Sequence, residues 1–282
     1  MSWKDLFPKE NRYYETEHGI LYHMDSIPFM ENIPENTFDL ILTDPPYNID
    51  QKQIIKSKVY SKTFDLSIGE WDRKWETWED YFQWLKNIFE LFGKIAKPNS
   101  WIYSWLGRDG ASFITINAEK LGMKIKNHLF WVKPNGRPNV LRVNWNSSVE
   151  IIVVLINKPT KNKDLFVNLL PAKEMHNFFI AANSSSYGKE NYPHPTQKPL
   201  FIHKKIIYLH SNPEEHIIFD PFIGSGTVAV ACEEMQRRWI GIEKEEKYCE
   251  IVKKRLQKCN NKKEIFEQPR VYELQQTIFE KR

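Results

Sequence analysis

An acid followed by two prolines and an aromatic, Asp44-Pro45-Pro46-Tyr47, closes the apolar run Leu40-Ile41-Leu42-Thr43. Adjacent prolines remove two amide donors and stiffen the backbone, so the carbonyls of this turn have fixed directions and no neighbouring N–H competes for them. That suits an aromatic amine. Such a nitrogen delocalises its lone pair into the ring and attacks poorly unless both N–H groups are held and the nitrogen is drawn toward a tetrahedral geometry. The Asp44 carboxylate can accept one hydrogen, the Pro45 carbonyl the other, and the Tyr47 ring can stack on the base. The same residues in an ordinary loop would be a rigid turn. At the end of an apolar strand they form a site for in-line group transfer without a covalent intermediate.

A second turn has the character of a nucleoside site. His216-Ile217-Ile218-Phe219-Asp220-Pro221-Phe222-Ile223-Gly224-Ser225-Gly226-Thr227 runs from an apolar strand through a glycine turn into an amphipathic helix. Gly224 and Gly226 permit backbone angles closed to other residues and let a ligand lie against the main chain. Seventeen positions past Gly226, at the end of the next apolar run, Glu243 can accept hydrogen bonds from both hydroxyls of a ribose. A lone Gly-x-Gly is a weak signal. Here it lacks the third glycine of a dinucleotide fingerprint and the lysine of a P-loop, and Asp220 and Glu243 make the surroundings acidic. A sulfonium or ammonium cofactor fits such a site better than a phosphorylated one.

Both turns need strands to position them. Short β-branched or aromatic runs bounded by Pro, Asn or Gly occur at 38–43, 101–105, 125–132, 151–156, 216–219 and 239–242, and they read as strands. Helical spacing fills 78–95, 110–121, 199–210, 228–236 and 245–257. Alternation of the two predicts an α/β domain with a mostly parallel central sheet and helices on both faces. Three stretches break the pattern: 50–76, where five lysines and Arg73 interleave with Tyr60, Phe64, Trp71 and Trp75; 157–192, with Lys158, Lys161 and Lys163; and the charged 259–282. Long excursions from an α/β body are usually functional or disordered.

Composition bounds the rest. A chain of 282 residues with 41% hydrophobic and 14% aromatic residues can bury one large core, so a single domain spanning 1–282 is expected. Its net charge of +4 is only mildly basic and says little about nucleic acid. Cys232, Cys249 and Cys259 are too few for a disulfide framework or a zinc site, so no metal is expected, and a reducing cytoplasm fits. No apolar run approaches the ~18 residues of a membrane span. Repeats and low-complexity tracts are absent.

Taken in order, these motifs resemble the amino-methyltransferases of DNA, in the permuted class whose catalytic motif precedes the cofactor loop. Asp44-Pro45-Pro46-Tyr47 is similar to that family's catalytic motif, and Asp220-Pro221-Phe222-Ile223-Gly224-Ser225-Gly226-Thr227 to its cofactor loop. His194-Pro195-Thr196-Gln197-Lys198-Pro199 is similar to the segment that precedes a helix lining the methionine end of the cofactor. Asp25 matches an acid near the cofactor's adenine, although Met24 stands before it where the family commonly has glycine. Further agreement comes from Phe130-Trp131-Val132-Lys133-Pro134-Asn135 and from Glu150-Ile151-Ile152-Val153-Val154.

The resemblance implies a Rossmann-like S-adenosylmethionine-dependent fold. It implies a cofactor site formed by Asp25, Thr196, Lys198, Asp220, Pro221, Phe222, Gly224, Ser225, Gly226, Thr227 and Glu243. It also implies double-stranded DNA as substrate, with the target base extruded from the helix. An aspartate at the first motif position accompanies adenine in this family, so Asp44 favours adenine N6; cytosine N4 is the alternative. Relatives acting on RNA or on glutamine side chains begin the motif with Asn and place the cofactor loop upstream, and neither feature occurs here. A small recognition insertion is expected at 157–192, helped by Lys133, Asn135, Arg137, Asn139, Arg142 and Asn144 as phosphate and base-edge partners. A non-catalytic binding protein on the same fold would have no need of both Asp44 and Glu243. The implied setting is a restriction-modification system, with an endonuclease sharing the recognition site.

Overall fold

The computed structural model describes residues 2–48, 54–57, 62–65, 75–137, 145–160, 165–182 and 198–260, with backbone alone at 54–57, 62–65, 135, 137 and 260. The chain enters through β1 (Arg12–Glu15) and β2 (Gly19–His23), then α1 (Ser26–Asn32) and β3 (Phe38–Thr43). A short antiparallel pair, β4 (Ile54–Ser57) and β5 (Lys62–Asp65), precedes α2 (Trp78–Ile95), β6 (Ala96–Leu106) and α3 (Arg108–Asn117). Next come the long strands β7 (Met123–Arg137) and β8 (Ser147–Asn157), then β9 (Phe178–Ile180). The C-terminal half of the site is built by α4 (Leu200–His210), β10 (Ile217–Asp220), α5 (Thr227–Glu234), β11 (Arg238–Glu243) and α6 (Glu246–Asn260).

Among the described residues, nine strands form one sheet in the order β1-β2-β11-β10-β3-β6-β8-β7-β9. The central five, β2, β11, β10, β3 and β6, are all parallel. At one end β8 and β7 add antiparallel strands, and at the other β1 does the same. The expected parallel centre is therefore present, flanked by antiparallel edges that alternation alone did not foretell.

Central strands are covered on both faces, which is why they read as continuous apolar runs. In β3, Phe38 and Ile41 face one core with α1, α2 and α3, while Leu40 and Leu42 face a second core with α4, α5 and α6. Phe38 stacks on Phe219 of β10 with ring centroids 4.3 Å apart, joining the two strands that carry the acidic turns. Helix α2 begins with a capping box, in which Thr77 and Asp80 satisfy each other's backbone amides. It buries Tyr81, Leu85, Ile88, Phe89 and Phe92 along one stripe.

Several features add to the sequence reading. The β2–α1 unit and β1 were not anticipated: β2 is five residues long and α1 only seven, too short to establish a period. The insertion expected at 157–192 is, over residues 165–182, laid against the body. There β9 pairs with β7, the Phe166 carbonyl accepts from Trp101 Nε1 at 3.1 Å, and Asn168 N donates to the Leu209 carbonyl at 2.8 Å. Helix α6 extends to Asn260, beyond which 261–282 lie outside the described residues. No helix among the described residues is long and apolar enough to cross a membrane.

Candidate active site

Strands β10 and β3 lie side by side and parallel, yet the chain leaves them in opposite directions: β10 leads through α5 to β11, and β3 through α2 to β6. In open α/β sheets the crevice beyond the strand ends at such a switch point is where ligands bind. Asp220 is the last residue of β10 and Asp44 the first beyond β3. A direct bond ties the turns together, since Thr43 Oγ1 donates to Asp220 Oδ1 at 2.8 Å.

The glycine turn is held from three sides. Its own start is folded by Phe222 N, which donates to Asp220 Oδ1 at 3.1 Å. Gly224 N donates to Glu243 Oε2 at 3.0 Å and Glu245 N to Glu243 Oε1 at 2.8 Å, so the tip of β11 grips the turn. Gly226 has φ +82°, and a Cβ there would fall 2.9 Å from Val252 of α6, so only glycine fits both the angle and the approach. From α6, the buried Arg255 guanidinium donates to the Ser225 carbonyl at 2.6 Å and to Thr227 Oγ1 at 3.3 Å. Ser26 Oγ donates to the Pro221 carbonyl, and the Phe222 ring packs on Trp84 of α2 at 5.8 Å. Asp25 caps α1 through Ile27 N at 3.1 Å and pairs with Lys244 at 2.9 Å. It lies beside the tip of β11, where Met24 N donates to the Glu243 carbonyl at 3.0 Å.

Burial pushes the Asp220 carboxyl up to about 7, against the pull of the Thr43 and Phe222 hydrogen bonds. Burial likewise pushes Glu243 up to about 7. Two acids raised by desolvation beside a glycine turn make surroundings that favour a cation over an anion.

The catalytic turn is organised differently. Asp44 Oδ1 accepts from the Tyr47 hydroxyl at 2.5 Å, and Oδ2 accepts from Lys198 Nζ. The Pro46 carbonyl accepts from the buried Tyr81 hydroxyl at 3.1 Å, so α2 fixes the orientation of the double-proline turn. Behind Tyr47 sits Gly107, where a Cβ would stand 3.3 Å from that of Tyr47. Lys198, just ahead of α4, lies 5.3 Å from the ring centres of both Tyr47 and Trp105. It also pairs with Glu150 of β8 at 3.3 Å, and Glu150 in turn with Lys133 of β7 at 2.9 Å. Burial raises Asp44 above the ordinary carboxylate range, with Lys198 and Tyr47 pulling it back. Burial also disfavours charge on Glu150, but Lys198 and Lys133 outweigh it and hold that carboxyl below its usual value.

The structure thus gathers Asp44, Pro45, Pro46, Tyr47, Asp220, Pro221, Phe222, Gly224, Ser225, Gly226, Thr227 and Glu243 at one end of the sheet. Two lysines of the sequence reading have partners within the protein. Lys198, expected against the cofactor, is buried on Asp44 and Glu150; Lys133, expected on DNA, is buried on Glu150 and over the Trp131 ring. A lysine needs its charge neutralised when it leaves water, and Glu150 supplies this for both. Thr196, Asn139, Arg142 and Asn144, and the side chains of Asn135 and Arg137, lie outside the described residues. Thr43, Tyr81, Glu150 and Arg255 were not given roles. Only Glu150 left a legible trace, as an acid opening an otherwise apolar run.

A switch-point crevice with a glycine turn on one strand and a double-proline acid on the next has the features of a group-transfer site that takes a nucleoside. Residues 38–254 match the DNA methylase family. The type II methyltransferase M2.LlaDCHI of Lactococcus lactis subsp. cremoris is 32% identical over 251 residues, covering 87% of this chain and 92% of the relative. M2.DpnII of Streptococcus pneumoniae is 30% identical over 253 residues, covering 88% and 93%. Among solved structures, the M1.HpyAVI-SAM complex superposes with a TM-score of 0.62 and 28% identity over 84% of this chain and 98% of that one. The PvuII cytosine-N4-specific DNA methyltransferase shares the fold, with a TM-score of 0.69 at 18% identity over 90% and 94% of the two chains. The chain belongs to the DNA methylase family and is an S-adenosylmethionine-dependent DNA methyltransferase.

Proposed function

We propose that this enzyme methylates the exocyclic N6 of adenine in duplex DNA, on a base turned out of the helix, as the modification partner of a restriction endonuclease in the cytoplasm. The bond between Thr43 and Asp220 carries the reading, because it brings the amine-orienting carboxylate and the cofactor turn to a single crevice. Asp44 at the first motif position supports adenine, and the relatives named above are type II methyltransferases.

In this reading Asp44 accepts one N–H of the target amine and the Pro45 carbonyl the other, while the Tyr47 ring stacks on the base. Tyr47 must first release Asp44 Oδ1, which its hydroxyl occupies here. S-adenosylmethionine supplies the methyl group as an electrophile. The nitrogen gives up a proton as it gains the methyl, and Asp44 is the acceptor that faces it. Arg137 and Arg142 hold DNA phosphates and Asn135, Asn139 and Asn144 read base edges, so Arg142→Ala lowers affinity and flattens its salt dependence.

The test is chemical. DNA treated with enzyme and cofactor is digested to nucleosides and weighed by mass spectrometry. N6-methyladenine is the expected product; N4-methylcytosine would replace the base assignment while leaving the enzyme class intact.

A further inference from the structure

Behind Asp44 runs a row of four charges of alternating sign, drawn from four separate parts of the fold. Asp44 follows β3, Lys198 precedes α4, Glu150 begins the inner part of β8, and Lys133 faces it from β7. Lys198 and Lys133 are both buried, and the Glu150 Oε2 atom that faces Lys198 is sealed from solvent. Aromatic rings close the surroundings: Tyr47 and Trp105 about Lys198, and Trp131 beside Lys133.

An ammonium placed alone on Asp44 would make a poor reaction site. It would stabilise the carboxylate, lower its basicity, and oppose the positive charge that grows on the target amine as the methyl arrives. A second carboxylate on the far side of that ammonium reverses much of this, since Lys198 then divides its charge between two anions. Glu150 can do so only while ionised, and Lys198 and Lys133 on either side of it favour that form.

We propose that Glu150, paired with Lys133 on its far side, is a positioning residue that acts through Lys198 to keep Asp44 an effective hydrogen-bond and proton acceptor for the target amine. This rests on the methyl-transfer reading of Asp44 above. Sequence motifs placed Lys198 with the cofactor and Lys133 with DNA; the ion row gives both a single task inside the enzyme. Burial opposes a charge on Lys198, yet Asp44 and Glu150 together hold its value above that of a free lysine, in keeping with a shared cation.

Among the described residues, the other ionisable groups around the row do not substitute for Glu150. Tyr47 donates to Asp44, and Tyr81 is committed to Pro46. Asp220 lies across Thr43, and burial brings His203 of α4 down to about 4, so it is neutral at working pH. Arg255 is engaged with the cofactor turn.

Single-turnover methyl transfer to DNA, measured against pH at saturating cofactor and DNA, distinguishes this role from a structural one. Glu150→Gln removes the charge and keeps the shape. It is expected to slow transfer at neutral pH by roughly tenfold and to move the acid limb of the profile about one unit lower, because Asp44 becomes less basic beside an undivided Lys198. Lys198→Met moves the acid limb the opposite way. Cofactor affinity by calorimetry stays at the wild-type value in Glu150→Gln, and Glu150→Asp recovers most of the rate. A wild-type acid limb in Glu150→Gln overturns the proposal, whatever the change in stability. Should Glu150→Gln fail to bind cofactor, Glu150→Asp carries the test: its carboxylate is drawn back one methylene and must give a smaller shift of the same sign, and an unmoved limb overturns the proposal. Failure of the wild-type enzyme to methylate any DNA would refute the underlying reading of Asp44, a distinct outcome from an active enzyme whose profile ignores Glu150.

Discussion

The crevice holds two acidic centres joined through Thr43, and the protein gives them different partners. Asp44 has a cation of its own, Lys198, which is shared with Glu150 and backed by Lys133. Asp220 and Glu243 are held by a hydroxyl and by the amides of Phe222, Gly224 and Glu245, all neutral donors. Burial raises the carboxyls at both centres; Lys198 pulls Asp44 back, while Asp220 and Glu243, opposed by neutral hydrogen bonds, rise to about 7. The difference follows the ligands. In the proposed reading the target amine is neutral and needs a lone pair presented to it, and its acid has a cation beside it to offset burial. In the same reading the cofactor is itself a cation and brings to Asp220 and Glu243 the charge that offsets their burial.

The sharpest way to break this comparison is to remove one centre and ask whether the other notices. Asp44→Ala should lower the rate of methyl transfer by about 10²–10³-fold or more, the usual loss when a donor or acceptor at the reacting centre is deleted. Cofactor affinity by calorimetry should be unchanged. A parallel loss of cofactor binding would mean that the two acids work as one site.

Glu243→Ala is the reciprocal variant. Hydrogen bonds to a charged group are worth about 1.5–3 kcal/mol, which is roughly a 10- to 100-fold loss of cofactor affinity. The rate at saturating cofactor should change far less. Unaltered affinity would show that the ribose is not where the tip of β11 grips the turn.

The pH dependence of cofactor binding probes the same contrast more gently. A carboxyl whose value rises on folding binds its proton more tightly in the folded chain, so stability falls as pH climbs from the ordinary carboxylate range through about 7. A bound cation favours the ionised form and relieves that loss. Affinity should therefore increase between pH 6 and pH 8 by about 3- to 10-fold and level off above, with the cofactor-induced rise in Tm growing over the same interval. A flat profile would indicate that Asp220 and Glu243 are already ionised in the empty enzyme.

The two centres also differ in how far the sequence disclosed them. The cofactor turn and Asp44-Pro45-Pro46-Tyr47 were legible because each is a local constraint: a glycine required by φ +82° at Gly226, a double proline, an acid at the end of an apolar strand. Strands β3, β10 and β11 showed themselves by being buried on both faces. The ion row behind Asp44 is a long-range product of folding. Lys133, Glu150 and Lys198 come from β7, β8 and the approach to α4, and no spacing rule links positions so far apart. A lysine in a polar-looking motif reads as a ligand contact until packing shows it enclosed. Tyr81 was hidden for a related reason: it completes the apolar stripe of α2, and only its hydroxyl reaches the catalytic turn.

That hydroxyl gives the smallest and most discriminating variant. Tyr81 stands between the centres, its ring 6.0 Å from that of Trp84, which packs on Phe222 of the cofactor turn, and its hydroxyl on Pro46 of the catalytic turn. Tyr81→Phe keeps the ring and deletes only the donor. The space vacated beside Gly110, where even a Cβ would come within 3.0 Å of the hydroxyl, is too small to reorganise the helix. Loss of one buried hydrogen bond costs about 1 kcal/mol, enough to loosen the Pro46 carbonyl and slow transfer by roughly 3- to 5-fold. Cofactor affinity should hold, because the aromatic ledge is intact. Trp84→Ala should do the reverse, weakening cofactor binding more than the rate at saturation. If Tyr81→Phe instead lowers both in equal measure, α2 transmits strain from one turn to the other, and the contrast between the centres would have to be sought in the helix they share.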